Sequence, residues 1–221
     1  ALGRSTLPTA RRGPILHRAA LALAGWFLVA STLGYLGAFR GVADRLPVIQ
    51  FGILIPIAIG LGYLWRSRTA ADILDAVPQS WLVGVQLYRV LGVIFILLYS
   101  AAQLPPQFAL PAGWGDIAVG LLAPIAALLY AYGIFGARAA VMTWNIFGLL
   151  DLVVAVAMGF LTSPSPIQAL SLDAPNQLIS AFPLVMVPVF AVPLSVLLHA
   201  ASLIKLARSR QPAAHNASAA V

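Results

Sequence analysis

Residues 82–104 read LVGVQLYRVLGVIFILLYSAAQL, and Arg89 is the one charged residue among them. About 20 predominantly apolar residues are enough to cross the hydrocarbon core of a bilayer as an α-helix. The stretch therefore reads as a membrane span with a guanidinium near its middle. A charge at that depth costs at least roughly 2.5–3.5 kcal/mol on insertion scales and is rarely kept without a partner or a task. Residues 139–161 repeat the form, with Asp151 as their one charge.

Four more stretches have the same length and character, at 19–39, 47–65, 114–135 and 178–204. The chain is 61% hydrophobic and 9% charged, with no Glu and no Cys. A soluble domain cannot carry so little polar surface, whereas lipid accepts it. The expected fold is all-α: a polytopic bundle of six transmembrane helices over 19–205. A basic arm at 1–18 precedes it and a flexible tail at 206–221 follows it. Lack of Cys excludes disulfides, thiolate metal sites and c-type haem attachment.

Basic residues in short loops mark the cytoplasmic side. Arg4, Arg11, Arg12 and Arg18 precede the first span, and Arg66 and Arg68 join the second to the third. Arg138 lies between the fourth and fifth, and Lys205, Arg208 and Arg210 follow the sixth. The opposite loops are sparse in charge, so both termini are expected in the cytoplasm. The net charge of +7 thus reflects topology, and no nucleic-acid partner is expected. The first apolar run exceeds the roughly 7–15 residues of a signal-peptide core, which favours a retained anchor. Abundant Ala, and Arg in excess of Lys, fit a bacterial inner-membrane protein.

Residues 69–80 are amphipathic. Thr69 stands at capping-box spacing from Asp72, with Ile73, Leu74 and Val77 opposite Asp72 and Asp75, and Pro78 ends the pattern. A short interfacial helix anchored by Trp81 is expected. The loop 104–113 is apolar but broken by prolines, as a re-entrant segment would be. Pro183, Pro188 and Pro193 predict an irregular sixth span. No internal repeat relates spans one to three to spans four to six.

Gln86, Arg89, Ser100 and Gln103 fall at helical spacing in the third span, and Asn145, Gly148, Asp151, Ala155, Gly159 and Thr162 form a stripe in the fifth. At a rise of about 1.5 Å per residue, Asp151 comes near the midplane and Arg89 roughly 6 Å to its cytoplasmic side. An Arg89–Asp151 ion pair is expected, with Gln86 and Asn145 completing its hydrogen bonds. His199 lies towards the cytoplasmic end, while Gln50, Gln103 and Asp116 count to the outer boundary. Together these residues outline a polar track from Asp116 through Ser100 and Asp151 to Arg89 and His199.

Three function classes follow. The first is passage of a proton or small solute along the track. The second is an accessory subunit of a membrane complex or a homo-oligomer, packed through Gly34, Gly37 and Gly41, while the small Gly148, Ala155 and Gly159 of the fifth span let a neighbouring helix approach. A buried pair also serves simply to lock helix packing. The third is remote: Gly113-Trp114-Gly115-Asp116 matches the G-x-G-D string of intramembrane aspartyl proteases and prepilin peptidases. That chemistry needs a second carboxylate close by, and depth counting separates Asp116 from Asp151. The alternative reading of the string is a helix start, where Asp116 favours the N-terminus. No catalytic residue, metal ligand or cofactor is assigned; His199 has no second intramembrane histidine for haem, and no Lys lies within a span.

The strings Gln86-Leu87-Tyr88-Arg89, 110–116 and Trp144 to Asp151 resemble those of uncharacterised bacterial inner-membrane proteins. The resemblance covers roughly residues 80–205 and implies no activity.

Overall fold

The computed structural model describes residues 9–209. They are all-helical, with six helices long and apolar enough to cross a membrane, which is compatible with an integral membrane protein. Helix α1 is Thr9–Tyr35, α2 is Ile49–Arg66, and α3 is the short Arg68–Ala76. The third span, Gln79–Ser100, is composite: α4 (Gln79–Gly84), a 3₁₀ stretch (Val85–Gly92) and α5 (Val93–Ser100). Then come α6 (Pro106–Ala131), α7 (Ala137–Thr162), and a π-turn at Val187–Ala191 that leads into α8 (Val192–Arg208). The arm before Thr9 and most of the expected tail lie outside the described residues.

Helix α6 is the hub, packing along both α7 and the third span, while α8 packs on α2, α7 and α4. One end of the bundle is tied together by basic side chains. Lys205 Nζ donates to the Leu74 carbonyl at 2.5 Å, and Arg138 donates to Ser209 Oγ at 2.8 Å and to the Leu206 carbonyl. These cations meet the open carbonyls at the ends of α3 and α8. The opposite end gathers the long loops, where Gly41 N donates to Ser180 Oγ at 3.3 Å. Helix α1 stands at the periphery, held by Trp26 and Phe27 against Phe190 of the π-turn. Leu28, Ile59, Leu91, Leu150 and Val153 point outward, as side chains facing lipid do.

Several expectations change. Residues 106–113 are no re-entrant loop but the first turns of α6, which starts with Pro106 at its first position. The G-x-G-D string is therefore not a helix start. Asp116 lies ten residues into α6, about 15 Å along it. Ser67, not Thr69, caps α3, its Oγ accepting from Ala70 N at 3.3 Å. The amphipathic reading of α3 itself is met, with Ala70, Leu74 and Ala76 buried and Asp72 and Asp75 exposed. The sixth span is irregular where its prolines fall, with the π-turn containing Pro188 and α8 starting at Val192-Pro193.

The 3₁₀ stretch decides which residues of the third span face inward. With three residues per turn, positions i and i+3 eclipse. Gln86, Arg89 and Gly92 are accordingly buried in one row, continued by Val83 and Phe95 at the same spacing. Ser100 and Gln103, placed on that face by an α-helical count, are exposed instead.

Candidate functional site

Arg89 is buried between apolar clusters, with Val83, Val119 and Trp144 towards one end and Phe95, Phe108 and Ala112 towards the other. Its guanidinium is held from three helices. Nε donates to Asp116 Oδ1 of α6 at 2.7 Å, and Nη2 lies 2.7 Å from the same oxygen. Nη2 also donates to Asp151 Oδ2 of α7. Nη1 faces the Gly148 carbonyl and His199 Nε2, each at 3.3 Å. Every nitrogen of the fork is engaged, which suits the planar geometry of Arg better than that of Lys.

Two of these contacts depend on glycine. A Cβ on Gly115 would run into the Asp151 carboxylate, and a Cβ on Gly148 would run into the His199 imidazole. The backbones of α6 and α7 therefore come close enough for one guanidinium to reach both carboxylates.

Beyond His199 the hydrogen bonds continue. His199 Nε2 accepts from Arg89, so the proton of the neutral ring sits on Nδ1, which donates to Asn145 Oδ1 at 3.0 Å. Asn145 Nδ2 donates to Ser202 Oγ at 2.8 Å and to the Val141 carbonyl at 2.8 Å. Gln79 Nε2 donates to Ser202 Oγ at 2.5 Å. Trp144 lies against the His199 ring with centroids 4.9 Å apart, fixed by Nε1 donating to the Val119 carbonyl at 3.0 Å. A side branch pairs the Tyr88 hydroxyl with Ser195 Oγ at 2.5 Å.

The structure thus brings together Arg89, Asp151, Asp116, His199 and Asn145. Gln86 is fully buried, but neither atom of its amide has a hydrogen-bond partner among the described residues. It does not complete the ion pair, and Asn145 serves His199 instead of the pair. Ser100 donates only to the Leu97 carbonyl, Gln103 is exposed, and Gln50 sits half-buried at the start of α2. None of these three joins the cluster. Gln79, Ser202, Tyr88 and Ser195 also belong to it, beyond the residues that the sequence pattern marks. Ser195, His199 and Ser202 lie four and three residues apart on one face of α8, which is the signal that marks them.

Of the three glycines offered to a partner, Gly34 and Gly41 face other parts of this chain. Gly34 lies under Val185 and Phe182, and Gly41 lies under Pro164. Gly37 has φ +75° in the turn after α1. Gly148 faces His199, Gly159 approaches Phe108, and Ala155 packs into the Phe95–Phe108 cluster.

Asp116 also lines two cavities. One, of about 680 Å³ including its mouth, reaches from the loop end of the bundle, past Pro47 and Pro164, down to Asp116. The other, of about 550 Å³, lies between the third span and α8, beside Tyr88, Leu91 and Ser195.

The depth argument against an aspartyl dyad no longer holds, since both carboxylates reach the same guanidinium. A different reason replaces it. Such a dyad shares one proton between its carboxyl groups to activate water, and here Arg89 binds both groups.

No curated protein and no solved structure matches the chain. A family match spans residues 46–207, from just before α2 to the last turn of α8, and leaves α1 outside. The chain belongs to the family described as Domain of unknown function (DUF8737).

Proposed function

We propose that this is a multi-pass protein of the bacterial inner membrane that takes up and releases a proton at the Asp116–Arg89–Asp151 cluster in moving a small solute. The observation that carries the reading is the charge count: two carboxylates share one guanidinium. With both ionised the cluster has a net charge of −1, and a surplus charge away from water calls for a proton or another cation. Asp116 of the cluster also lines the cavity that opens at the loop end. The bulk of the basic residues flank the other end, which by the positive-inside rule supports a loop end facing out of the cell.

His199, Asn145, Ser202 and Gln79 extend the polar contacts towards the terminal end. In this reading they hold Arg89 in place; amide side chains orient protons without passing them on. The titratable and charged groups around the carboxylates are Arg89 and Tyr88 of the third span and His199 of α8. Asp116 and Asp151 are the two that exchange the proton.

Proton movement into vesicles carrying the purified full chain, followed with an entrapped pH-sensitive dye under an imposed gradient, tests the reading. Flux should be present with the wild-type chain and abolished by Asp116→Asn and by Asp151→Asn. Flux that survives both substitutions, or no flux in the wild type, removes the reading.

A further inference from the structure

We infer that the cavity above Asp116 is a binding site for an organic monocation with an apolar body, such as a substituted ammonium or phosphonium. The inference rests on reading the Asp116–Arg89–Asp151 cluster as a site of net negative charge, and it names the solute class for that site.

Four phenylalanines, Phe39, Phe95, Phe108 and Phe160, line the cavity, and they come from the loop after α1, from α5, from α6 and from α7. Phe95 and Phe108 meet edge to face with centroids 5.2 Å apart. Aromatic rings attract a cation over their faces, and a cage of them is a recurrent recognition device for quaternary ammonium groups. Beneath them Asp116 supplies the one carboxylate of the lining. Its Oδ1 is taken by Arg89, its Oδ2 accepts no hydrogen bond among the described residues, and its side chain keeps 16% of its exposure.

The sign of the occupant follows from Arg89. An anion would need its N–H groups, and all three nitrogens already face Asp116, Asp151, Gly148 and His199. A neutral acyl chain would fit the apolar walls but gain nothing from the acid. A cation with an apolar body uses both, as ligand cavities with apolar walls and one placed polar group do. The second cavity shares Asp116 and Phe95 with the first and lies beside the exposed Leu91. A solute dissolved in lipid therefore meets the same carboxylate.

The probes are tetraphenylphosphonium and tetraphenylborate, a cation and an anion of nearly one shape. Binding to the full chain in lipid nanodiscs is measured at pH 8.5 without a gradient and corrected against empty nanodiscs. The phosphonium should bind at least about ten-fold more tightly than the borate, and Asp116→Asn should weaken it by about ten-fold or more. Equal binding of the two ions, or phosphonium binding that Asp116→Asn leaves unchanged, overturns the inference. Where Asp116→Asn does not fold, Phe160→Leu decides, since Phe160 lines the cavity without touching Arg89. It should lower phosphonium affinity several-fold at an unchanged melting temperature, and unchanged affinity overturns the inference. Charge-selective binding without proton flux would remove only the transport reading; flux without such binding would remove only this one.

Discussion

Asp116 Oδ1 receives both Nε and Nη2 of Arg89 at 2.7 Å, which gives the guanidinium a second carboxylate beside Asp151. Removing Arg89 alone would leave the buried Asp151 and the half-buried Asp116 without their shared cation. Arg89→Leu should cost about 3–5 kcal/mol, the usual penalty for stripping one partner from a buried ionic group. The triple variant Arg89→Leu, Asp116→Asn, Asp151→Asn should recover part of that loss, because no unpaired charge is left. Melting temperatures in nanodiscs compare the two, and a triple variant less stable than Arg89→Leu contradicts the charge argument.

Gly148 and Gly62 make a matched pair. A Cβ on Gly148 meets the His199 imidazole, whereas a Cβ on Gly62 meets nothing within 4 Å. Gly148→Ala should destabilise by about 1–3 kcal/mol through overpacking. Gly62→Ala should stay within about 1 kcal/mol of wild type. The order of the two melting temperatures is the check; equal values would mean that α7 and α8 do not approach as described.

His199 and Asn145 depend on each other through the 3.0 Å Nδ1–Oδ1 hydrogen bond. His199→Leu strands the Asn145 oxygen, and Asn145→Leu strands the His199 N–H, each costing about 1–3 kcal/mol. The double variant should lose less than the two single losses combined, by about 1 kcal/mol or more. A double-mutant cycle reads this directly, and strict additivity would argue against the contact.

At the surface, Ser67→Ala should cost about 1 kcal/mol by removing the cap of α3, while Thr69→Ala should cost far less. Thermal stability separates them. Amide exchange at Ala70, whose N–H meets the Ser67 hydroxyl, should rise only in the first variant.

Much of the fold could be read from run length, because lipid demands long apolar helices whatever their partners. The contact between Arg89 and Asp151 was legible too, since each is a lone charge in its span at similar depth. The prolines at 105, 106 and 111 hide the depth of Asp116, because they imitate a loop. A Pro at the first position starts a helix as readily as a Pro in the interior ends one. A signal is present even so: Ala109, Ala112, Gly113, Asp116, Val119, Gly120 and Ala123 follow one helical stripe that continues past Pro111. Ser100 and Gln103 fall off the buried face for another reason. Counting at 3.6 residues per turn across a stretch wound at three accumulates an error in direction, and no single residue announces that change. The hydrogen-bond chain through Gln79 and Ser202 depends on which helices are neighbours, and helical periodicity alone does not determine that.

The tighter winding of residues 85–92 has a consequence for length. A 3₁₀ turn climbs about 2.0 Å per residue against 1.5 Å in an α-helix. The third span has 22 residues, whereas α6 and α7, its companions around Asp116 and Asp151, have 26 each. With eight of its residues stretched, the shorter span reaches about 37 Å, close to the about 39 Å of the other two. The same eight residues that turn Arg89 inward also let a helix four residues shorter nearly match the length of its two neighbours.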